Sequence, residues 1–273
     1  MKKTLHSMEK SKKRFFIIFI MPLRGIMEDR MRIDIITLFP EIIETYTKNG
    51  IIGRGVESNL LNINYVNLRG FSEDKHKKVD DYPYGGGPGM LLKPEPLYNA
   101  LTHIKRDNSY VIYLSPKGNL FTQQKAAEYA TYEHIIFIVG HYEGIDQRII
   151  DMFVDEEVSI GDYVLTSGEL PALIMADAIG RLIPGVLGSE ESIVEESHSS
   201  NLLEYPQYTR PEEFMGHRVP EIIISGNHQK IKAWRELKSI ELTLARRKDK
   251  LSDIDKSEID KRCEKLNKII NRK

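Results

Sequence analysis

The chain has 273 residues, of which 41% are hydrophobic and 29% are charged. This composition excludes an intrinsically disordered chain and predicts one large domain or two modest ones. The formal net charge of −1 excludes a uniformly basic nucleic-acid-binding protein, so any contact with a polyanion must depend on a local basic patch.

The amino-terminal segment, residues 1–30, combines a basic stretch with a short apolar run from Phe15 to Leu23. The run is too short to span a bilayer, charge returns at Arg24, and no A-x-A cleavage pattern follows. We therefore expect no membrane association, and we interpret this segment as an extension from a misassigned start, with a signal peptide as the less favoured alternative. Alternative starts are Met21, Met27 and Met31.

Strand and helix patterns alternate from residue 31 to about residue 190. "MRIDIITLFPEII" predicts a strand ending near Pro40 and then a helix to about Lys48, and "LLNINYVNLRGF" predicts a second strand. "SYVIYLSPKG" predicts a strand that ends at its Ser-Pro turn, and "FTQQKAAEYATYE" predicts a helix capped by Thr122.

The next stretch repeats this alternation. "HIIFIVGHYEGIDQRIID" predicts an apolar strand, a polar loop with glycines and a helix, and "EEVSIGDYVLTSG" predicts a short strand and loop. "ELPALIMADAIGRLI" predicts a helix that starts near Glu169. Continuously apolar strands that alternate with helices predict an α/β domain, residues 31–190, with a mostly parallel sheet covered on both faces.

The character of the chain changes after this domain. "SEESIVEESHSSN" is acidic and serine-rich, which predicts a flexible linker over residues 191–200. Residues 201–273 predict a small, mostly helical domain. Between Arg235 and Lys273 basic residues outnumber acidic ones, with Leu and Ile at helical spacing. This pattern fits either a solvated pair of amphipathic helices or a basic face that binds a polyanion.

Several common sites are missing from the sequence. There is no P-loop, no complete dinucleotide-binding glycine motif and no G-x-S-x-G nucleophile elbow. The one cysteine, Cys263, excludes an intrachain disulfide and a cysteine-based zinc site, and it is typical of a reducing cytosol. The scattered histidines form no i, i+4 pair, so we predict no protein metal site.

Three loops that contain glycine follow apolar strands: "YLSPKG", "VGHYEGID" and "SIGDYVLTSG". Ligands of open α/β sheets bind at the carboxyl ends of strands, where glycines let the backbone approach a flat heterocycle. Each loop alone is compatible with an ordinary tight turn, but together they predict one shared pocket.

These loops belong to longer motifs. "DDYPYGGGPGM", "YLSP", "GHYEGIDQR", "DEEVSIGDYVLTSGELPA", "RLIPGVLG", "LLEYPQYTRP" and "SGNHQKIKAWR" follow in order from Met31 to about Arg235. The chain closely resembles the bacterial tRNA (guanine-N1)-methyltransferases of the SPOUT superfamily. The resemblance implies a deep trefoil knot in the α/β domain and a homodimer whose active sites are shared between subunits. It also implies methyl transfer from S-adenosylmethionine to N1 of guanine 37 in tRNA, in the cytoplasm, with Mg²⁺ as an optional addition.

The resemblance also implies a methyl-donor pocket built on the three loops. Backbone groups of the third loop would hold the adenine, the first loop would form another wall, and an acidic residue of the second would lie near the cofactor. The implied cofactor-binding residues are Gly140, Ile160, Gly161, Asp162, Tyr163, Val164, Leu165, Gly168, Tyr113, Leu114, Ser115, Pro116 and Glu143.

N1 of guanine carries a proton, so methyl transfer needs a general base and a cation that stabilises the charge building toward O6. The family uses an aspartate in the linker and an arginine in the helix before "IPG", and Arg181 matches the arginine. Glu196 stands at the aspartate position and performs the same chemistry with one more methylene. Glu195 is the alternative base, and both glutamates also fit a solvated linker.

The helical domain would grip the anticodon stem through phosphate contacts. Candidate RNA-binding residues are Arg210, Lys230, Lys232 and Arg235. Alternatives to the predicted function are a SPOUT methyltransferase that acts on another RNA, and an RNA-binding protein without catalysis.

Overall fold

The computed structural model describes residues 31–187, 202–251 and 255–271. Its centre is a five-stranded sheet in the order β2-β1-β6-β5-β7, in which every pair of neighbouring strands is parallel. The strands are β1 (Met31–Thr37), β2 (Leu61–Asn67), β5 (Ser109–Leu120), β6 (His134–Val139) and β7 (Glu156–Ser159). Between β2 and β5 lie β3 (Asp80–Asp81) and β4 (Leu91–Leu92), which form a small antiparallel pair.

Helices cover both faces of the sheet. Successive residues of each strand point to opposite faces, so each strand contributes apolar side chains to both sides. On β6, Ile135 and Phe137 enter one apolar cluster, whereas Ile136 and Ile138 enter the other. The helices are α1 (Pro40–Thr47), α2 (Gly50–Glu57), α3 (Pro94–Ile104), α4 (Gln123–Tyr129), α5 (Gln147–Phe153) and α6 (Glu169–Gly180). The first cluster includes side chains of α1, α2, α4 and α6, and the second includes side chains of α3 and α5. The predicted α/β fold with a mostly parallel sheet is confirmed.

Local signals place several element ends correctly. The Thr122 side chain accepts a hydrogen bond from the Lys125 N–H at 3.2 Å and caps α4 as predicted. Helix α6 starts at Glu169, and β1 ends at Thr37 just before α1. These ends depend on short-range chemistry, which a sequence pattern contains.

The predicted end of β5 at the Ser-Pro turn is wrong, because the strand continues to Leu120. Val158 of β7 pairs with both Leu114 and Asn119, so residues 115–118 arch out of the ladder before pairing resumes. Pro116, which lacks an N–H, lies in this arch, where no ladder hydrogen bond is required. A Cβ atom on Gly118 would lie 2.3 Å from the backbone N of Val158, so the arch closes around β7 with no room for a side chain.

The described residues from 202 onward form separate elements with their own apolar cluster. They are the hairpin β8 (Glu213–Phe214) and β9 (His217–Arg218) and the helices α7 (Glu221–Ile224), α8 (His228–Arg246) and α9 (Lys256–Ile270). Leu237 and Ile240 of α8 share this cluster with Ile259 and Leu266 of α9. The two long helices are therefore amphipathic partners whose apolar sides meet.

Two predicted segments, residues 1–30 and the linker 191–200, lie outside the described residues, and with them Glu195 and Glu196. Among the helices of the described ranges, none has the length and apolar character needed to cross a membrane.

Candidate active site

A cavity of about 370 Å³ lies beside the arch of β5 and the carboxyl ends of β6 and β7. Its size is within the range of small-molecule sites, and its position is the one where parallel sheets bind ligands. The three glycine loops of the sequence meet around it. The predicted cofactor-binding residues that line it are Tyr113, Leu114, Ser115, Pro116, Gly140, Glu143, Ile160, Gly161, Tyr163, Val164, Leu165 and Gly168. Asp162 is exposed and does not line the cavity.

The third loop offers its backbone to the cavity. Within the described parts of the chain, the N–H and C=O groups of residues 164–167 form no hydrogen bond with other protein groups. Val164 is 84% exposed, so this segment is not packed under other side chains. Unpaired backbone donors and acceptors that line a cavity are available to a ligand with a polar edge, such as a heterocycle.

Two glycines fix the meeting point of the second and third loops. The Gly168 N–H donates to the Gly140 carbonyl at 3.1 Å, and a Cβ atom on Gly168 would lie 3.1 Å from the Gly140 nitrogen. A Cβ atom on Gly140 would in turn lie 3.1 Å from the Tyr113 hydroxyl. A Cβ atom at either position would make a tighter contact than most side chains make, so the close approach of the two loops favours glycine.

The cavity wall contains both charges and a buried phenol. Burial and the nearby Glu157 carboxylate raise the pKa of Tyr113 to about 12, so its hydroxyl stays protonated at neutral pH. Lys117, Glu143 and Glu157 are the ionic residues in direct contact with the cavity. Glu143 also packs against the glycine-rich loop before β4, since a Cβ atom on Gly89 would lie 2.4 Å from its Oε1.

Sequence reasoning missed part of the wall and the group behind it. His141 lines the cavity, and its Nε2 lies 2.7 Å from Oε1 of the buried Glu169 carboxylate. Only their places in the motifs, beside Gly140 and Gly168, distinguish these residues in the sequence. The other wall residues without a predicted role are Lys117, Tyr142, Gly144, Ile145, Gln147, Ile150, Glu157, Val158, Ser159, Thr166, Ser167 and Pro171.

Arg181 does not lie at this cavity within one chain. It directly follows the last residue of α6, whereas the cavity lies at the start of the same helix, beside Gly168. A helix of 12 residues is about 18 Å long. The predicted catalytic cation and the predicted cofactor pocket are therefore at opposite ends of one helix.

The candidate RNA-binding residues occupy different environments. Arg210 and Lys232 are exposed and Lys230 is half-buried. The Arg235 guanidinium lies over the Tyr205 ring, 4.8 Å from its centroid. On α8, Lys232 and Arg235 are three residues apart and therefore lie on the same face of the helix. Lys230 is two residues from Lys232 and does not lie on the same face as Lys232. Within the described ranges, no group of three or more His, Cys, Asp or Glu could hold a metal ion.

Comparison with known proteins assigns the family. The model of the family described as tRNA (Guanine-1)-methyltransferase TrmD matches residues 31–253. A tRNA (guanine-N(1)-)-methyltransferase of Clostridioides difficile is 55% identical over 223 residues, which are 80% of this chain and 96% of the relative. Proteins of the same name from Caldanaerobacter subterraneus and Pediococcus pentosaceus are 52% and 49% identical, each over 85% of this chain and 96% of their own length. The chain therefore belongs to the tRNA (guanine-1)-methyltransferase TrmD family.

Proposed function

We propose that this protein transfers the methyl group of S-adenosylmethionine to N1 of guanine 37 in tRNA, in the cytoplasm. The family and the names of the relatives support the reaction class and the tRNA substrate. The observation that carries the proposal is the cavity, because nearly all residues predicted to hold the methyl donor line it.

The residues at the cavity fit S-adenosylmethionine. The unpaired backbone groups of residues 164–167 suit the polar edge of adenine, and Glu143 and Glu157 suit a ligand with positive charge. When bound there, S-adenosylmethionine supplies a methyl group on a sulfonium centre. The chain holds and orients this donor, and the Gly140–Gly168 contact keeps two of the three loops in register.

The remaining chemistry belongs to a base and a cation. We assign the base to Glu196, with Glu195 as the alternative, since a carboxylate within hydrogen-bond reach of N1 can accept its proton. The proton of N1 would move to the carboxylate, and N1 would take the methyl group as the methyl–sulfur bond of the donor breaks, with the bonding electrons left on sulfur as a neutral thioether. Arg181 stabilises the negative charge that develops toward O6. Mg²⁺ enters this proposal only through the resemblance, and no step depends on it.

The position of Arg181 supports the second part of the proposal, a homodimer with shared active sites. Since α6 separates this arginine from the cavity of its own chain, we assign it to the cavity of a second protomer. A partly exposed apolar face, formed by Phe39, Ile42, Tyr46, Leu170 and Ile174 of α1 and α6 and the turn before α1, offers a contact surface. The Tyr46 hydroxyl donates to Asp177 at 3.0 Å and joins the two helices at this face. Apolar patches of this kind are typical of protein interfaces.

The finer fold features are part of the same proposal. The arch of β5 around β7 and the close approach of Gly168 to Gly140 support a trefoil knot in the α/β domain, residues 31–190. We also propose that residues 201–273 form the tRNA-binding domain, with Lys232 and Arg235 on its contact face.

Labelled S-adenosylmethionine and tRNA transcripts that differ only at position 37 test the reaction. We expect transfer to wild-type transcript and none when guanine 37 is replaced. Transfer that is indifferent to position 37 would mean another RNA target, and a chain that binds RNA without any transfer would be a binding protein. Glu196→Gln should lower the transfer rate by about 10²- to 10⁴-fold, the usual contribution of a general base. Glu195→Gln is the matched control, and a larger loss there would move the base to Glu195.

Mixed dimers test the shared site. Arg181→Ala removes the cation, and Gly140→Val fills the cofactor cavity next to Tyr113. Each homodimer should be inactive. Co-expression in equal amounts should restore about a quarter of the wild-type sites, because half the dimers are mixed and each of these retains one intact site. Absence of recovered activity in mixed dimers would place both residues in the same chain's site.

A further inference from the structure

The Glu169 carboxylate lies directly behind the wall of the cavity. Its residue is only 1% exposed, at the first position of α6. Oε1 accepts hydrogen bonds from the Thr37 hydroxyl at 2.6 Å and from His141 Nε2 at 2.7 Å. Thr37 Oγ1 accepts in turn from the Phe39 N–H at 3.0 Å. Among the described residues, no donor is in hydrogen-bonding geometry with the other carboxylate oxygen, Oε2.

This carboxylate is ionised, and that decides which ring nitrogen of His141 carries a proton. Burial raises the pKa of Glu169, but hydrogen bonds from His141 and Thr37, with a smaller contribution from the Ser167 hydroxyl, outweigh it and hold the pKa below its ordinary value. The start of a helix also favours negative charge. Since an ionised carboxylate can only accept, Nε2 of His141 must bear the proton.

Groups on the side of the His141 ring that faces away from the cavity therefore determine its orientation. Glu169 holds one edge of the ring, and Phe39 packs edge-on against it with 5.4 Å between the ring centroids. His141 directly follows Gly140 and Glu169 directly follows Gly168, so the backbone hydrogen bond between the two glycines is adjacent to the side-chain pair. The ends of β1 and β6 and the start of α6 thus meet at one buried carboxylate.

We propose that Glu169 is a positioning residue of the S-adenosylmethionine site, which it serves by fixing the His141 ring in the cavity wall. The inference rests on the proposed cofactor cavity and extends it to residues that do not contact the reacting atoms. This role requires a buried hydrogen-bond acceptor at position 169. It also requires, at position 141, a side chain with a donor where Nε2 of His141 lies.

Calorimetric binding of S-adenosylmethionine to the full chain tests this requirement. His141→Phe keeps a ring at this position but removes the donor to the buried Glu169 carboxylate. The ring is then no longer oriented by that hydrogen bond, and we expect the Kd to rise about tenfold, which corresponds to about 1.4 kcal/mol of binding free energy. His141→Gln restores an N–H donor and should bind within about threefold of wild type. Glu169→Met removes the acceptor and should resemble His141→Phe. In methyl transfer, the KM for S-adenosylmethionine should rise with little change in kcat.

The chain offers a matched control in a second buried pair, Asp34 and His134, where His134 Nε2 lies 3.2 Å from the carboxylate. Asp34→Leu and His134→Phe should reduce stability but leave the Kd of the folded protein unchanged. Affinity of His141→Phe and Glu169→Met within twofold of wild type would overturn the inference, as would equal losses in the Asp34 and His134 variants. If the wild-type chain does not bind S-adenosylmethionine, the proposed cofactor site fails together with it.

Discussion

The two buried carboxylate–histidine pairs of this sheet differ in how completely their hydrogen bonds are satisfied. Asp34, the central residue of β1, accepts from Arg32 at 2.8 and 2.7 Å, from Asn64 at 2.7 Å and from His134, the first residue of β6. Glu169, at the carboxyl ends, accepts from Thr37 and His141 but has one oxygen without a partner among the described residues. We therefore expect the Asp34 pair to contribute mainly to stability and the Glu169 pair, beside the cavity, to contribute to ligand binding as well.

The comparison also shows why residue types alone do not identify a site. Ser109 Oγ lies 2.7 Å from His134 Nδ1, so Ser109, His134 and Asp34 follow one another as in a hydrolase triad. The Ser109 hydroxyl, however, also accepts from the Arg106 N–H at 2.7 Å, and His134 is fully buried. A nucleophile needs access to substrate, so this network is structural.

The largest effect is expected when the satisfied pair loses its carboxylate. Asp34→Ala leaves His134 and Asn64 without their buried acceptor and should lower the free energy of unfolding by about 3 to 5 kcal/mol. Urea unfolding measures this loss, and Kd of the folded fraction for S-adenosylmethionine should stay unchanged. A stable Asp34→Ala variant with weakened binding would break the comparison.

Acid should weaken the same pair. Burial raises the pKa of Asp34, but hydrogen bonds from His134, Arg32 and Asn64 outweigh it and lower the pKa from 3.8 to about 2. A lowered carboxyl pKa gives stability that is complete above pH 3.8 and is lost as the pH falls through about 2, here of the order of 2 kcal/mol. Urea unfolding of wild type and Asp34→Asn between pH 5 and pH 2 measures it. Equal slopes in both proteins would show that Asp34 does not titrate in this window.

At the carboxyl ends, Thr37→Val removes one hydrogen bond to Glu169 but keeps the shape of the side chain. We expect about 1.5 kcal/mol less stability, since the lost bond is to a charged group. The Kd for S-adenosylmethionine should rise a few-fold because the Glu169 carboxylate then keeps only the hydrogen bond from His141. Thr37→Ser retains the hydroxyl and is the control. Loss of stability without a change in Kd would mean that Thr37 supports only the fold, as we expect for Asp34 and His134.

The smallest effect is expected for Ser109→Ala. It removes the hydroxyl between the buried His134 ring and the N–H of the exposed Arg106, and should cost about 1 kcal/mol of unfolding free energy. Methyl transfer should be unchanged. A large loss of activity with little loss of stability would instead indicate a chemical role for this serine.

Sequence patterns predicted the parts of the fold that depend on neighbouring residues. Thr122 predicts the start of α4, and the apolar run of β6 predicts a strand that is buried on both faces. The order of the strands in the sheet was not predicted, because parallel pairing joins residues far apart in sequence. The same holds for the arch of β5, where a Ser-Pro pair suggests an end but pairing with β7 continues the strand.

The candidate site was predicted through its glycine loops rather than through its buried support. Gly140 and Gly168 stand in motifs that the resemblance identifies. Glu169 gives no such signal, since a glutamate in the first turn of a helix is usually solvated. Arg181 was predicted as catalytic, but only the length of α6 shows that it is remote from its own cavity.

Gly118 has a consequence for how mutational scans of this protein are interpreted. The clearance between the arch and β7 is smaller than a methyl group, so any side chain at position 118 opposes the closure of the sheet rather than the reaction. A scan scored by methyl transfer alone would rank this position beside the active-site residues. Soluble yield, measured in parallel with activity, separates the two groups, because we expect Gly118 variants to lose yield first.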